Sequence, residues 1–123
     1  MNYKHGRTTY ATTGSKTITT TFQPVEVELV VTDNIGSAGS SIVRSESVTD
    51  GTNFTCDAFT HWSDTVQPFS ERFTDRVASI WEWNGSAYAE VFKVTFTSWS
   101  ATGVTLNVAT ANSSYQVSYK IRG

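Results

Sequence analysis

Apolar and polar residues alternate with a period of two along much of this chain. In the segment from Val25 to Thr32, residues Val25, Val27, Leu29 and Val31 fall on one side of an extended backbone, and Glu26, Glu28, Val30 and Thr32 fall on the other. Successive strand side chains point to opposite faces, so such a segment predicts a strand with one face on a core. The same period recurs in Phe92/Val94/Phe96, in Val104/Leu106/Val108 and in Tyr115/Val117/Tyr119/Ile121. Turn chemistry adds more strands. Asp50-Gly51 separates residues 42–48 from 53–59, and Asn84-Gly85 separates 77–83 from 88–99. Each dipeptide is a hairpin signal between alternating segments, and a hairpin pairs its strands antiparallel.

Between these strands, residues 33–40 read as a loose surface loop and 109–114 as the connection into the last strand. The expected architecture is all-β: an antiparallel β-sandwich of about six to eight strands. Residues 60–75 show no period. Pro68 and the mixture of Trp62, Phe69 and Phe73 there predict a long loop that either caps the core or touches a partner. The first twenty residues are polar and rich in Thr, with Tyr3 and Tyr10 as the only large side chains. They read either as a frayed terminus or as an arm, residues 1–20, anchored by Tyr3 and Tyr10 on the sheet edge of a neighbouring subunit. A single sandwich domain then spans 21–123.

Composition narrows the classes. A chain of 123 residues makes one domain with a sizeable core. Charged residues at 16% and aromatics at 13% exclude a disordered chain, and no run approaches eighteen apolar residues, so no membrane insertion is expected. Thr and Ser supply 35 residues and Leu only two, which favours strands over helices. The net charge of −2 removes the global attraction that drives non-specific nucleic-acid binding. Cys56 is the only cysteine, so no intrachain disulfide forms; without a cation or His within three residues it reads as a buried, inert thiol. The N-terminal residues contain no apolar stretch resembling a signal peptide.

Candidate chemistry is sparse. His5 and His61 lie far apart, and neither has a His or Cys at metal-ligand spacing, so no metal or other cofactor is expected. No nucleophile elbow exists, and the chain does not read as an enzyme. Glu26 and Glu28 share a strand face at a separation of roughly 7 Å and read as solvated strand charges rather than a glycosidase pair. Asp33, Asp50, Asp57 and Asp64 sit in or near loops without a contiguous calcium-binding pattern. Asn53, Asn84 and Asn112 each begin an Asn-X-Ser/Thr triplet, but a chain this rich in Ser and Thr produces about two such matches by chance. His61-Trp62-Ser63-Asp64 is the densest polar and aromatic cluster; it reads as a loop whose Trp packs, or as a tip that stacks on a sugar or contacts a receptor. Trp81, Trp83 and Trp99, with Tyr88, Phe92 and Phe96, surround the Asn84-Gly85 turn. Alternation places Trp81 and Trp83 opposite Ala78 and Ile80, so whichever face is not core is unusually apolar. Either the core takes both layers at this end, or Trp81, Trp83 and Tyr88 form an interface between copies.

The segment Thr21-Phe22-Gln23-Pro24-Val25 through Asp33 resembles the opening strands of the H-type lectin domain. Residues 102–108 and 115–121 are similar to its last two strands. Small tailed-phage proteins with an F-x-P opening and an ATG-V-x-L closing strand resemble it over more of the chain. Their other marks are matched here by Asp50-Gly51-Thr52-Asn53 and Ser63-Asp64. The resemblance implies a six-stranded antiparallel sandwich, a homotrimer and sugar bound at the subunit boundary, with Arg44 on the family's strand arginine and Asp33 at the end of the opening strand. Where the lectins carry an aromatic and a histidine before the last strand, this chain has Ala109-Thr110-Ala111-Asn112, and residues 49–100 form a long insertion. The expectation is a virion structural protein of a tailed phage, a homotrimeric capsid decoration or tail-fibre component in contact with other virion proteins. A host surface glycan is a further expected partner, with Arg44, Asp33, His61, Trp62 and Asp64 as ligand-binding candidates. The alternative is a carbohydrate-binding module of H-type lectin kind. An initial Met without repeats or a coiled coil favours a whole small protein over a piece of a long fibre.

Overall fold

A computed structural model of the chain describes residues 2–33 and 42–123. In chain order the strands are β1 (Tyr3–Tyr10), β2 (Gly14–Thr19), β3 (Glu26–Asp33), β4 (Ile42–Thr49), β5 (Phe54–His61), β6 (Phe69–Phe73), β7 (Ala78–Trp83), β8 (Tyr88–Ser100), β9 (Gly103–Ala111) and β10 (Tyr115–Arg122). They form a six-stranded sheet in the order β1-β10-β3-β4-β5-β6 and a four-stranded sheet in the order β2-β9-β8-β7. Every pairing is antiparallel, and no helix occurs among the described residues. The all-β class and the two-sheet architecture follow the sequence reading, but the ten strands among the described residues exceed the expected six to eight.

The core lies between the sheets. Val27, Leu29 and Val31 of β3 and Val117 and Ile121 of β10 meet Phe92 and Val94 of β8 and Val104, Leu106 and Val108 of β9. Phe92 stacks on Tyr115 with ring centroids 4.4 Å apart. Val25 is 48% exposed and precedes β3, so the alternating apolar face begins at Val27 instead.

Two segments depart from expectation. Residues read as an arm form β1 on β10 and β2 on β9 of their own chain. Tyr10 is buried in the core and is unavailable as an anchor, whereas Tyr3 is exposed. These strands escape a hydrophobic reading because only Tyr10 and Ile18 of their inward positions are buried, while Lys4, Gly6, Thr8 and Lys16 are half-buried and need no apolar side chain. Residues 60–75 are not one loop: β5 runs on to His61, and β6 pairs with it from Phe69 to Phe73. In β4 the apolar Ile42 and Val48 face outward while Ser45, Ser47 and Thr49 face the core.

Both hairpins form at the expected dipeptides, and their glycines differ in surroundings. Gly51 and Gly85 have φ of 93° and 103°, a region that costs a β-carbon about 1 kcal/mol. A β-carbon at Gly51 would also overlap the Trp99 indole, while at Gly85 it would meet nothing within 4 Å. Gly51→Ala is therefore expected to lower stability by about 2 kcal/mol or more, and Gly85→Ala by about 1 kcal/mol, as read from urea midpoints at unchanged slope.

Burial pushes the Cys56 thiol up to about 11, against a hydrogen bond from Ser45 that acts the other way, and it pushes the Tyr10 hydroxyl up to about 12. Both groups hold their protons more tightly in the folded chain. Their contribution is complete below the unfolded values, about 8.5 and 10, and drains as pH rises through the folded ones. The melting temperature should stay level from pH 7 to about 8.5 and fall beyond it. Cys56→Ala should delay the onset of that fall to about pH 10.

Candidate interaction surfaces

By topology β7 is an edge strand, but its free side is closed by hydroxyl groups of the facing sheet. The Ser79 N–H donates to Ser45 Oγ at 3.0 Å, the Thr60 hydroxyl donates to the Trp81 carbonyl at 2.6 Å, and the Ser47 hydroxyl donates to the Val77 carbonyl. Ser45, Ser47, Thr60 and Ser79 are all buried. Left unpaired, such backbone groups would cost about 1 to 3 kcal/mol each and offer a template to another chain. Short hydroxyl side chains on β4 and β5 take the place of a neighbouring strand.

Beside this seam runs an aromatic ladder. Trp81 stacks on Phe69 and Phe73 of β6, with centroids 4.8 and 6.0 Å apart and interplanar angles of 24° and 2°. Tyr88 lies 5.3 Å from Phe69, and Trp83 meets Tyr88 edge-on at 5.3 Å. The Arg76 guanidinium sits over Phe73, 3.9 Å from its centroid, which adds a cation–π contact.

A half-buried ionic network holds the ladder from behind. Arg76 Nη1 donates to Glu90 Oε2 at 2.6 Å, and Arg76 Nε and Nη2 donate to the two oxygens of Asp75 at 2.7 and 3.1 Å. The Ser79 hydroxyl donates to the same Glu90 oxygen and accepts from Trp81 Nε1 at 2.8 Å. The side chains of Arg76 and Glu90 are only 11% and 18% exposed. Hydrogen bonding to Arg76 holds the Asp75 carboxyl below the usual range.

Trp81 keeps the expected alternation: its indole N–H reaches Ser79 two residues back, on the face opposite the buried Ala78 and Ile80. Phe69 and Phe73 of its own chain cover part of the indole, which stays partly exposed. Trp83 and Tyr88 remain partly exposed. With Thr65, Val66, Gln67 and Pro68 they line a groove of about 450 Å³, closed at one point where the Tyr88 hydroxyl donates to the Gln67 carbonyl at 2.5 Å.

No family model, curated protein or solved structure matches this chain.

The ligand-binding candidates are only partly brought together. Arg44 lies on the outer face of β4, ion-paired with Glu46 on the same face and in register with Phe59 of β5. His61 lies in the next row of that face, opposite Ile42; its Nε2 is 3.4 Å from the exposed Asp64 carboxylate. Trp62 is half-buried. Asp33 ends β3 in register with Val43, and its side chain falls outside the described residues. Sequence reasoning passed over Phe59, which is 42% exposed between these groups.

Three further carboxylates are each engaged by their own partners. Asp50 accepts from the backbone N–H groups of Thr52 and Asn53 at 2.9 and 2.7 Å, which lowers its titration. Asp57 takes both prongs of Arg72 at 2.7 and 3.1 Å and is lowered likewise. Glu26 pairs across strands with Arg122 at 3.1 Å. Among the described residues no group of three His, Cys, Asp or Glu is placed to hold a metal ion.

Proposed function

We propose that this chain is a structural protein of a tailed-phage particle, a β-sandwich that assembles as a homotrimer and acts by surface contact on the capsid or tail. The observation that carries the assembly reading is the outer face of the six-stranded sheet. Ile42, Val48 and Phe59 there stay 58%, 36% and 42% exposed in a single copy. Ile42 and Val48 stand at the two ends of β4 with Arg44 and Glu46 between them, and Phe59 lies opposite Arg44; covering these apolar groups with another copy favours association. The virion assignment draws on the resemblance carried by Phe22-Gln23-Pro24, Asp50-Gly51-Thr52-Asn53 and residues 101–106. Sedimentation of the purified chain should give roughly 40 kDa, three times the 13.5 kDa of one copy. The protein should also co-purify with particles; a stable monomer at tens of micromolar, absent from particles, would overturn the reading.

A second reading has its own support. Exposed Phe59 stands beside Arg44 and one row from His61, an aromatic platform flanked by hydrogen-bond donors that suits a sugar ring. Glycan binding that disappears in both Arg44→Ala and Phe59→Ala would favour a carbohydrate-binding module.

A further inference from the structure

Charge is segregated along the sequence. All eleven Asp and Glu residues lie from Glu26 to Glu90, while six of the nine Lys and Arg residues lie outside that span. The fold turns this into a spatial separation, because β1 and β2 run beside β10 and β9 at one edge of both sheets. These four strands carry Lys4, Arg7, Lys16, Lys120 and Arg122 and no carboxylate side chain. Arg122 reaches Glu26, but Lys4 and Lys16 hydrogen-bond neutral oxygens of Thr19 and Thr12. A polar groove of about 530 Å³ opens between β1 and β2, with Lys4, Arg7 and Lys16 in its lining.

The opposite edge is acidic. Glu71 stands exposed on β6, Asp64 and Asp75 flank that strand, and Glu82 lies on β7. Two arginines of this edge are already taken, Arg72 by Asp57 and Arg76 by Asp75 and Glu90, and Lys93 of β8 lies near Asp75.

We propose that copies of this chain associate head to tail, with the cationic β1 edge of one copy against the acidic β6 edge of the next. The inference rests on the assembly reading above and adds an edge contact to the apolar outer face on which that reading stands. Both edges belong to the six-stranded sheet. With six antiparallel strands, β1 and β6 run in opposite directions, so β1 of a second copy laid beside β6 continues the antiparallel order. The four-stranded sheet cannot be extended in the same way, because hydroxyl groups already seal the free side of β7. Pairing like edges would set Lys4 and Arg7 against their own copies, or Glu71 against Glu71, which like-charge repulsion disfavours. Opposite edges attract instead, and a contact of this heterologous kind closes into a ring when the rotation between copies fits, as in a trimer.

The test compares three variants with the wild type by sedimentation velocity at 20 and 500 mM NaCl, with circular dichroism as the control for folding. Arg7→Glu with Lys16→Glu makes both edges acidic. Glu71→Lys with Glu82→Lys makes both basic. Each of these double variants is expected to sediment as a monomer at a concentration where the wild type is assembled. Combining all four substitutions exchanges the signs of the two edges and should restore assembly. Wild-type association should weaken at least tenfold at high salt, since screening shortens the reach of the attraction. That salt titration decides the matter even where a variant fails to fold. If wild type and both double variants assemble alike and without regard to salt, the edge contact is wrong while the assembly reading stands. A wild type that stays monomeric under every condition removes the assembly reading itself.

Discussion

Replacing Glu90 with Ala should lower stability by about 2 to 4 kcal/mol, a large share of the reserve of a domain this size. Its carboxylate is the inner partner of Arg76 and the acceptor for the Ser79 hydroxyl. Losing it leaves a guanidinium that is 11% exposed with only Asp75 on its outer side. It also frees the hydroxyl that receives the Trp81 indole N–H. Glu90→Gln keeps an acceptor oxygen near Ser79 while removing the charge, and should recover part of the loss. In a double-mutant cycle, Glu90→Ala and Arg76→Ala should show coupling of about 1 to 3 kcal/mol, since each removes the partner of the other. Strictly additive costs in urea denaturation would mean that the pair is a surface contact of little consequence, despite its burial.

Legibility in the sequence followed the hydrophobic contrast of each position. β9 and β10 were plain because their inward residues, Val104, Leu106, Val108, Tyr115, Val117 and Ile121, are all enclosed and are separated by polar or small ones. β3 was nearly as clear. Turn dipeptides located β4, β5, β7 and β8 for a different reason, since backbone conformation at Gly51 and Gly85 is a local demand. Which way β4 faces was not legible. Its apolar Ile42 and Val48 point outward because its serines are needed inside to pair with the backbone of β7, a use that only the folded chain reveals.

The interaction surfaces were legible in parts. Turn and composition together marked the aromatic block, but nothing local showed that Phe69 and Phe73, twelve and eight residues earlier, would cover Trp81. Arg76 and Glu90 are fourteen residues apart and form no motif, so nothing local announced their pairing. The most useful neglected signal was the confinement of every acidic residue to the middle of the chain. Charge asymmetry of this kind is readable without any structure. Its meaning is not, because it depends on the terminal strands β1, β2, β9 and β10 gathering at one edge.

Trp81→Ala is the other substitution with a large expected effect, about 3 to 4 kcal/mol. Its ring lies between Phe69 and Phe73, and its indole N–H is bound to Ser79. Deletion would open a space that the short strand β6 is poorly placed to fill, since β6 has only five residues and one strand neighbour, β5. Two components of the loss can be separated. Trp81→Phe retains an aromatic face between the phenylalanines but has no donor for Ser79. It should therefore cost about 1 to 2 kcal/mol, the part due to the smaller ring and the absent hydrogen bond. Loosening should be local as well as global. In the Ala variant, amide hydrogen exchange is expected to accelerate first in β6, at Phe69 to Phe73, while the β3, β9 and β10 amides exchange only with whole-chain unfolding. Because β6 also carries Glu71 at the acidic edge, the same variant should assemble less readily than its melting curve alone accounts for. Uniform acceleration across all strands would instead show that the two sheets lose their packing together and that the ladder is an ordinary part of the core.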